Sequence, residues 1–269
     1  MARLTRLSRS IEGSVAVVTG AASGMGRATA QLFADEGARL GILDINGDAL
    51  ESVAGELRAA GADVLAVRVD LASREEVEQA MARVIDHFGA IDILVNNAGL
   101  VIPAGIEAEN FEESWDTSFA VMTTAQAWAI RCALPALRQS AHPRIVNVAS
   151  TEALGATPHN SGYSVAKHAS VGLTRAMAVD LGREGITVNC VCPGPIHTAI
   201  TAQIPEEDKS LFARRRTALR RYGDPEEVAH AILNLALPAS SFITGATLAH
   251  PHPHPHPPLS SRQVEGCGT

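Results

Sequence analysis

The chain has 269 residues, 46% of them apolar and 19% charged, a profile that excludes a disordered or fibrous chain and gives length enough for one sizeable core. Lys and Arg number 22 against 29 Asp and Glu, a formal net charge of −7, so no broad basic field is available for a nucleic-acid backbone. The most apolar helical stretch, Ala120 to Leu137, is broken by Thr123, Thr124, Gln126 and Arg131; it falls short of the roughly 20 apolar residues that a bilayer span needs, and no membrane partner is expected.

In chain order, Met1 to Ser10 carries Arg3, Arg6 and Arg9 and reaches Gly13 without the apolar stretch of a secretory signal. Residues 1–13 therefore read as a basic extension, and the expected location is cytoplasmic. Beyond it, apolar runs of strand length alternate with stretches of helical period. Strands are expected at Val15 to Thr19, Arg39 to Asp44, Val64 to Val69, Ile91 to Asn96, Ile145 to Ala149 and Thr187 to Val191. Helices are expected around Gly26 to Glu36, Asp48 to Ala60, Arg74 to Phe88, Glu112 to Leu137 and Tyr163 to Arg183. Near-continuous apolar strands belong to a parallel sheet covered on both faces, and the alternation predicts an α/β fold: a doubly wound parallel sheet, three layers α/β/α, as a single domain over residues 14–249.

After Pro193 the pattern loosens into Pro205 to Arg221, rich in arginine, which reads equally as a mobile cover over a site or as a solvated helix face; a last helix follows from Pro225 to Leu237. From His250 alternating histidine and proline begin a low-complexity tail, residues 250–269, that cannot form helix or central strand. Those histidines have no carboxylate or cysteine to complete a geometry, and Cys132, Cys190, Cys192 and Cys267 lack paired spacing, so reduced thiols and no metal site are expected.

Several residues carry chemistry. Gly20, Gly24 and Gly26, with Ser23 and Met25 between them, join the first strand to the first helix, where backbone must approach a pyrophosphate and helix N–H groups can bind it. Asp44 ends the second strand, placed to accept hydrogen bonds from an adenosine ribose and to repel a 2′-phosphate. Neither Ser23 nor Ile45 offers a cation for that phosphate, and the expected cofactor is NAD. Asp70 and Leu71, then Asn96, Asn97, Ala98 and Gly99, end two further strands on the same crevice, with Asp70 expected at the adenine amino group and the small Ala98–Gly99 pair against the cofactor. Tyr163 and Lys167 stand four apart on one helix face, where a cation beside a phenol favours phenolate and makes a usable general acid–base. Ser150, ending the fifth strand, can hold the reacting oxygen against them.

Together these pieces resemble the short-chain dehydrogenase/reductase family in its shorter single-domain form, from about Gly13 to Leu248. The match rests on Thr19, Gly20, Gly24 and Gly26, Asp70, Asn96 to Gly99, Ser150, Tyr163 with Lys167, and Pro193 to Thr198, in the family's order and spacing. The resemblance implies a seven-stranded Rossmann sheet, hydride transfer at the nicotinamide C4, and an alcohol–ketone couple worked by Ser150, Tyr163 and Lys167. It also implies that Tyr163 and Lys167 contact the cofactor, and that Pro193, Gly194, Ile196 and Thr198 hold the carboxamide. The segment after them would be a substrate lid, and the chain a homo-oligomer, dimer or tetramer.

Two departures stand out. Met122 occupies the place where the family often has an asparagine that anchors a water relaying protons to the lysine, and a thioether cannot replace that amide. The His-Pro tract replaces the usual family ending and puts a seventh strand in doubt. The substrate is expected to be a small-molecule secondary alcohol or ketone, with Thr151, Glu152 and His197 as candidate contacts. The competing readings are a catalytically impaired NAD-binding sensor or scaffold, and an epimerase or dehydratase, which ordinarily needs more chain after Gly194.

Overall fold

The structure, a computed structural model, describes residues 4–250. The His-Pro tail after His250, with Cys267, lies outside the described residues.

Strands β1 (Val15–Thr19), β2 (Arg39–Asp44), β3 (Val64–Arg68), β4 (Ile93–Asn96), β5 (Arg144–Val148), β6 (Thr187–Pro193) and β7 (Thr247–His250) form one parallel sheet in the order β3-β2-β1-β4-β5-β6-β7. The first six are the apolar runs of the sequence, with ends displaced by two residues at most. The doubtful seventh is present among the described residues, paired with β6 from Cys190 opposite Thr247 to Pro193 opposite His250. The strand order reverses between β1 and β4, which opens a crevice above their carboxyl ends.

Helices α1 (Gly24–Asp35), α2 (Gly47–Ala59), α3 (Arg74–Phe88), α4 (Phe111–Phe119), α5 (Ala125–Leu137), α6 (Ser161–Leu181), α7 (Glu206–Arg216) and α8 (Pro225–Ala236) connect the strands. Their ends follow local chemistry. Ser73 caps α3 by accepting the Glu76 N–H, and Gly89 ends it at φ 72°. Asp224, Pro225 and Glu227 start α8 with a capping box.

Period-2 alternation on the strands builds two cores. Ala16 and Val18 of β1 pack with Phe33 of α1, Leu50 and Leu57 of α2 and Ile232 of α8 in one cluster. Val15 and Val17 join Val77 and Val84 of α3, Ile130 of α5 and Leu181 of α6 in the other. Both faces of the sheet are thus covered, as near-continuous apolar strands require.

One element departs from the sequence expectation. The single helix expected from Glu112 to Leu137 is divided into α4 and α5 by a π-helical turn at Ala120–Thr124. A π turn inserts one residue into the ladder, frees a carbonyl and rotates the helix that follows. Here the carbonyl of Met122 accepts the Ser170 hydroxyl of α6 at 2.8 Å. Before the turn, the rings of Phe111, Trp115 and Phe119 run along one face of α4, with successive centroids 5.9 and 5.0 Å apart.

Candidate active site

The glycine loop is shaped by the absence of side chains. Gly20 has φ +67° and Gly24 φ +53°, both in the left-handed region, and a Cβ on Gly26 would stand 2.0 Å from the Gly20 carbonyl oxygen. Ser23, extended at the start of α1, makes no side-chain cap, which leaves the first-turn N–H groups to face the crevice. Met25 is half-buried against the core rather than turned to the crevice floor. The loop is pinned to β4: the Thr19 hydroxyl accepts the N–H groups of Asn97 (3.0 Å) and Ala98 (3.1 Å), and the Asn97 amide donates to the Thr19 carbonyl at 2.9 Å. Asn97 Oδ1 is buried without a hydrogen-bond partner.

Asp44 closes the next side of the crevice. Its Oδ2 accepts the Ala22 N–H at 3.0 Å and its Oδ1 the Asn46 N–H at 2.9 Å, so each oxygen keeps acceptor capacity for a ligand. Asp70 spends Oδ1 on the Ala72 N–H in a local turn, and Leu71 beside it is half-buried against the second core. Asn96 is different: it is 2% exposed, and its amide donates to Asn147 Oδ1 at 2.9 Å inside the sheet, so its side chain serves the fold rather than the crevice. At Gly99 an added Cβ would meet Lys167 Nζ at 3.3 Å and Met122 Sδ at 3.5 Å, which puts the lysine and the methionine sulfur around the same backbone position.

Ser150 follows β5 and is buried; its Oγ accepts the Glu152 N–H at 3.1 Å and leaves its own proton free to donate. Tyr163 and Lys167 lie one turn apart on α6. Burial pushes the Tyr163 phenol above its usual value, a hydrogen bond with Ser150 works against that, and the charge of Glu152 adds to it. Lys167 is 3% exposed, and burial lowers it to about 8. The expected phenolate is therefore not favoured in this arrangement. The reason is geometric: Nζ donates to the Val148 carbonyl at 2.8 Å and sits over the Tyr163 ring, 5.7 Å from its centroid, rather than beside the hydroxyl.

The segment after β6 returns to the glycine loop. His197 N–H donates to the Gly223 carbonyl and Gly223 N–H to that of Pro195, fixing buried Ile196 and half-buried Gly194. The Thr198 methyl would lie 3.3 Å from a Cβ on Gly24, so Thr198 stands directly over the loop. His197 is exposed and stacks on Tyr222 at 5.2 Å. A cavity of about 600 Å³ opens here, lined by Gly24, Arg27, His197, Thr198 and Lys209 of α7. Thr151 and Glu152, half-buried in a short 3₁₀ turn after Ser150, lie on the α6 side, and Glu152 Oε2 accepts the Ser164 hydroxyl at 3.3 Å. His197 thus lines the cavity on the loop side of the crevice.

Asn147 and Ser164 were not singled out in the sequence. An asparagine within the apolar run Ile145 to Val148 is the signal that pointed to Asn147.

The chain is similar to known proteins. A family model described as Enoyl-(Acyl carrier protein) reductase matches residues 20–251. The (2S)-[(R)-hydroxy(phenyl)methyl]succinyl-CoA dehydrogenase subunit BbsD of Thauera aromatica is 40% identical over 239 residues, 88% of this chain and 95% of that protein. The chain belongs to the short-chain dehydrogenase/reductase family. Another relative in it, the 2,5-dichloro-2,5-cyclohexadiene-1,4-diol dehydrogenase LinX of Sphingobium indicum, is 35% identical over 242 residues, 90% of this chain and 96% of that one. A dehydrogenase/reductase from Sinorhizobium meliloti 1021 superposes with TM-score 0.84 at 36% identity, over 90% of this chain and 95% of that one. As a short-chain dehydrogenase/reductase with the doubly wound sheet, the protein is an oxidoreductase acting on CH–OH groups. No helix among the described residues is long and apolar enough to cross a membrane.

Proposed function

We propose that this protein is an NAD(H)-dependent oxidoreductase that interconverts a secondary alcohol and a ketone, with Tyr163 as general acid–base, Ser150 as hydrogen-bond donor to the reacting oxygen and Lys167 supporting both. The observation that carries the reading is the meeting of Ser150, Tyr163 and Lys167 at the carboxyl edge of the sheet, beside a backbone cradle that a Cβ would fill. The residues present fit a dinucleotide: uncapped N–H groups of α1 for its phosphates, Asp44 for a ribose, and Gly99 and Thr198 along its path. The carboxylate of Asp44, with neither Ser23 nor Ile45 offering a cation, favours NAD over its 2′-phosphate form.

When bound, the nicotinamide supplies the hydride acceptor for oxidation and the donor for reduction. Tyr163, kept protonated by burial, gives its proton to the ketone oxygen during reduction and is left as phenolate; in oxidation the phenolate, formed once its own proton has passed to solvent, takes the carbinol O–H proton. Ser150 donates to the same oxygen and holds it in line. Lys167 holds a buried positive charge over the phenol ring, 5.7 Å from its centroid, and is the group that the family resemblance assigns to the nicotinamide ribose. A cytoplasmic location and a homo-oligomer, dimer or tetramer, belong to the same reading, on the strength of the family resemblance.

The test is NADH formation or consumption across a panel of secondary alcohols and ketones, with Tyr163→Phe alongside. Loss of the acid–base group is expected to lower turnover by about 10²- to 10⁴-fold. Saturable NADH binding by the wild type with no turnover of any compound favours the non-catalytic sensor or scaffold instead.

A further inference from the structure

Glu152 has no role in the fold that accounts for its charge. It sits in the Thr151–Ala153 turn, fixed to Ser150 through its N–H. Its Oε2 accepts a single hydroxyl, that of Ser164, the residue after Tyr163 in α6. No lysine, arginine or histidine among the described residues lies within ion-pair distance of it. A carboxylate offers about four acceptor positions; here one is used, at a loose 3.3 Å, and Oε1 takes no hydrogen bond from a described residue. The charge is also felt at the reacting centre, where it helps to push the Tyr163 phenol up. Ser164 in turn lines a cavity of about 620 Å³, with mostly apolar walls that include Ala104, Ile106, Ala156 and His159. A half-buried acceptor with no ion-pair partner among the described residues, joined through Ser164 to the wall of an apolar space, selects ligands by what they can donate.

We propose that Glu152 is the specificity determinant of this site, accepting a hydrogen bond from a second hydroxyl next to the reacting carbinol, so that the substrate is a neutral, apolar-bodied vicinal diol or hydroxyketone. A substrate with a carboxylate at that position meets like charge and is rejected. The inference rests on the reading of Ser150, Tyr163 and Lys167 as an alcohol–ketone centre.

The test uses the full chain with NAD⁺ and three matched compounds: cyclohexanol, 1,2-cyclohexanediol and 2-hydroxycyclohexanecarboxylate. The wild type is expected to prefer the diol to cyclohexanol about tenfold or more in kcat/KM and to use the hydroxycarboxylate worst. Glu152→Gln keeps shape and an acceptor for Ser164 but loses the charge, and is expected to lower the diol-to-cyclohexanol ratio about tenfold. Any change it makes in the Tyr163 proton affects both alcohols alike and cancels in that ratio. A second readout is titration of both alcohols into the protein–NADH complex, where the ratio of dissociation constants should shift in the same sense. An unchanged ratio in Glu152→Gln, or a wild type that uses cyclohexanol or the hydroxycarboxylate as well as the diol, overturns the inference alone. Should Glu152→Gln fail to fold, the wild-type order of the three compounds still decides. Wild-type turnover of none of them, with NADH bound, brings down the reading of the centre and this inference with it.

Discussion

Replacing Asp44 by Ala tests cofactor choice at the residue proposed to carry it. The carboxylate accepts the Ala22 N–H at 3.0 Å and the Asn46 N–H at 2.9 Å. The Asn46 side of this pair is exposed, so its N–H turns to water at little cost, while Ala22 is half-buried and loses a charge-assisted bond. Together these changes cost about 2 kcal/mol, or roughly 5 °C in Tm for a chain of this size. On the cofactor, loss of a charged acceptor to a ribose hydroxyl is worth about 1.5–3 kcal/mol, a weakening of NADH by roughly 10- to 100-fold. The glycine loop is tied to Asp44 through Ala22, so its loosening weakens NADH and NADPH alike. The ratio of their dissociation constants isolates the ribose contact from that loosening. Fluorescence titration of both cofactors against wild type and Asp44→Ala should show NADH preference reduced by more than tenfold, because NADPH also escapes the repulsion. A ratio that stays at the wild-type value, even with weaker binding of both, refutes the assignment of Asp44.

Two further outcomes follow from the centre. Lys167 is lowered by burial from 10.5 to about 8, so below about pH 8 the folded state carries the full cost of the buried charge. Between about 8 and 10.5 the unfolded chain keeps a proton that the folded chain has lost, so stability rises with pH across that window. Urea unfolding of wild type and Lys167→Met from pH 7 to 9.5 should show this rise in the wild type only; parallel curves would contradict it. The range stops short of 10, above which Tyr163, raised by burial, contributes with the opposite sign. The second concerns Met122, fully buried, whose sulfur and Lys167 Nζ both border Gly99. Wild-type turnover is expected to persist, and Met122→Asn, which returns an amide to that place, to raise kcat several-fold; no gain argues against an impaired relay.

The parts of this molecule legible in the sequence are those set by the chain's own covalent chemistry. Gly20 and Gly24 are readable because their left-handed backbone disfavours a side chain, and Gly26 because a Cβ there would meet the Gly20 carbonyl oxygen. The six strands are readable because burial on both faces forces uninterrupted apolar runs. Asp44 is readable because strand length fixes where β2 ends. What was not legible depends on a single degree of freedom that pattern does not record. The four-residue spacing of Tyr163 and Lys167 places both on one face, but only the lysine rotamer decides that Nζ reaches the Val148 carbonyl instead of the phenol. Likewise, Ala120 to Thr124 is apolar enough for either an α or a π turn, and one inserted residue changes the ladder without changing composition. Asn96 read as a crevice residue from its place at a strand end, yet alternation turns its side chain into the sheet.

That buried side of Asn96 explains how the centre is aimed. Its amide donates to Asn147, the Asn147 amide donates to Thr174, the Thr174 hydroxyl donates to the Ser170 carbonyl, and the Ser170 hydroxyl donates to Met122 at the π turn. Lys167, Ser170 and Thr174 share one face of α6, at spacings of three and four residues, and all three make polar bonds beyond the helix or receive them. An apolar stripe would let α6 slide or roll over the sheet at modest cost, because hydrophobic contact has no direction. Hydrogen bonds do have direction: rolling α6 by one residue breaks the links at Lys167, Ser170 and Thr174 together and leaves buried donors unsatisfied. Tyr163 is one turn before Lys167 on the same helix, so its hydroxyl is held against Ser150 by bonds it does not itself make. The π turn supplies the last of them, since an unbroken helix from Phe111 to Leu137 would keep the Met122 carbonyl in its own ladder and leave the Ser170 hydroxyl only the Ala166 carbonyl of α6.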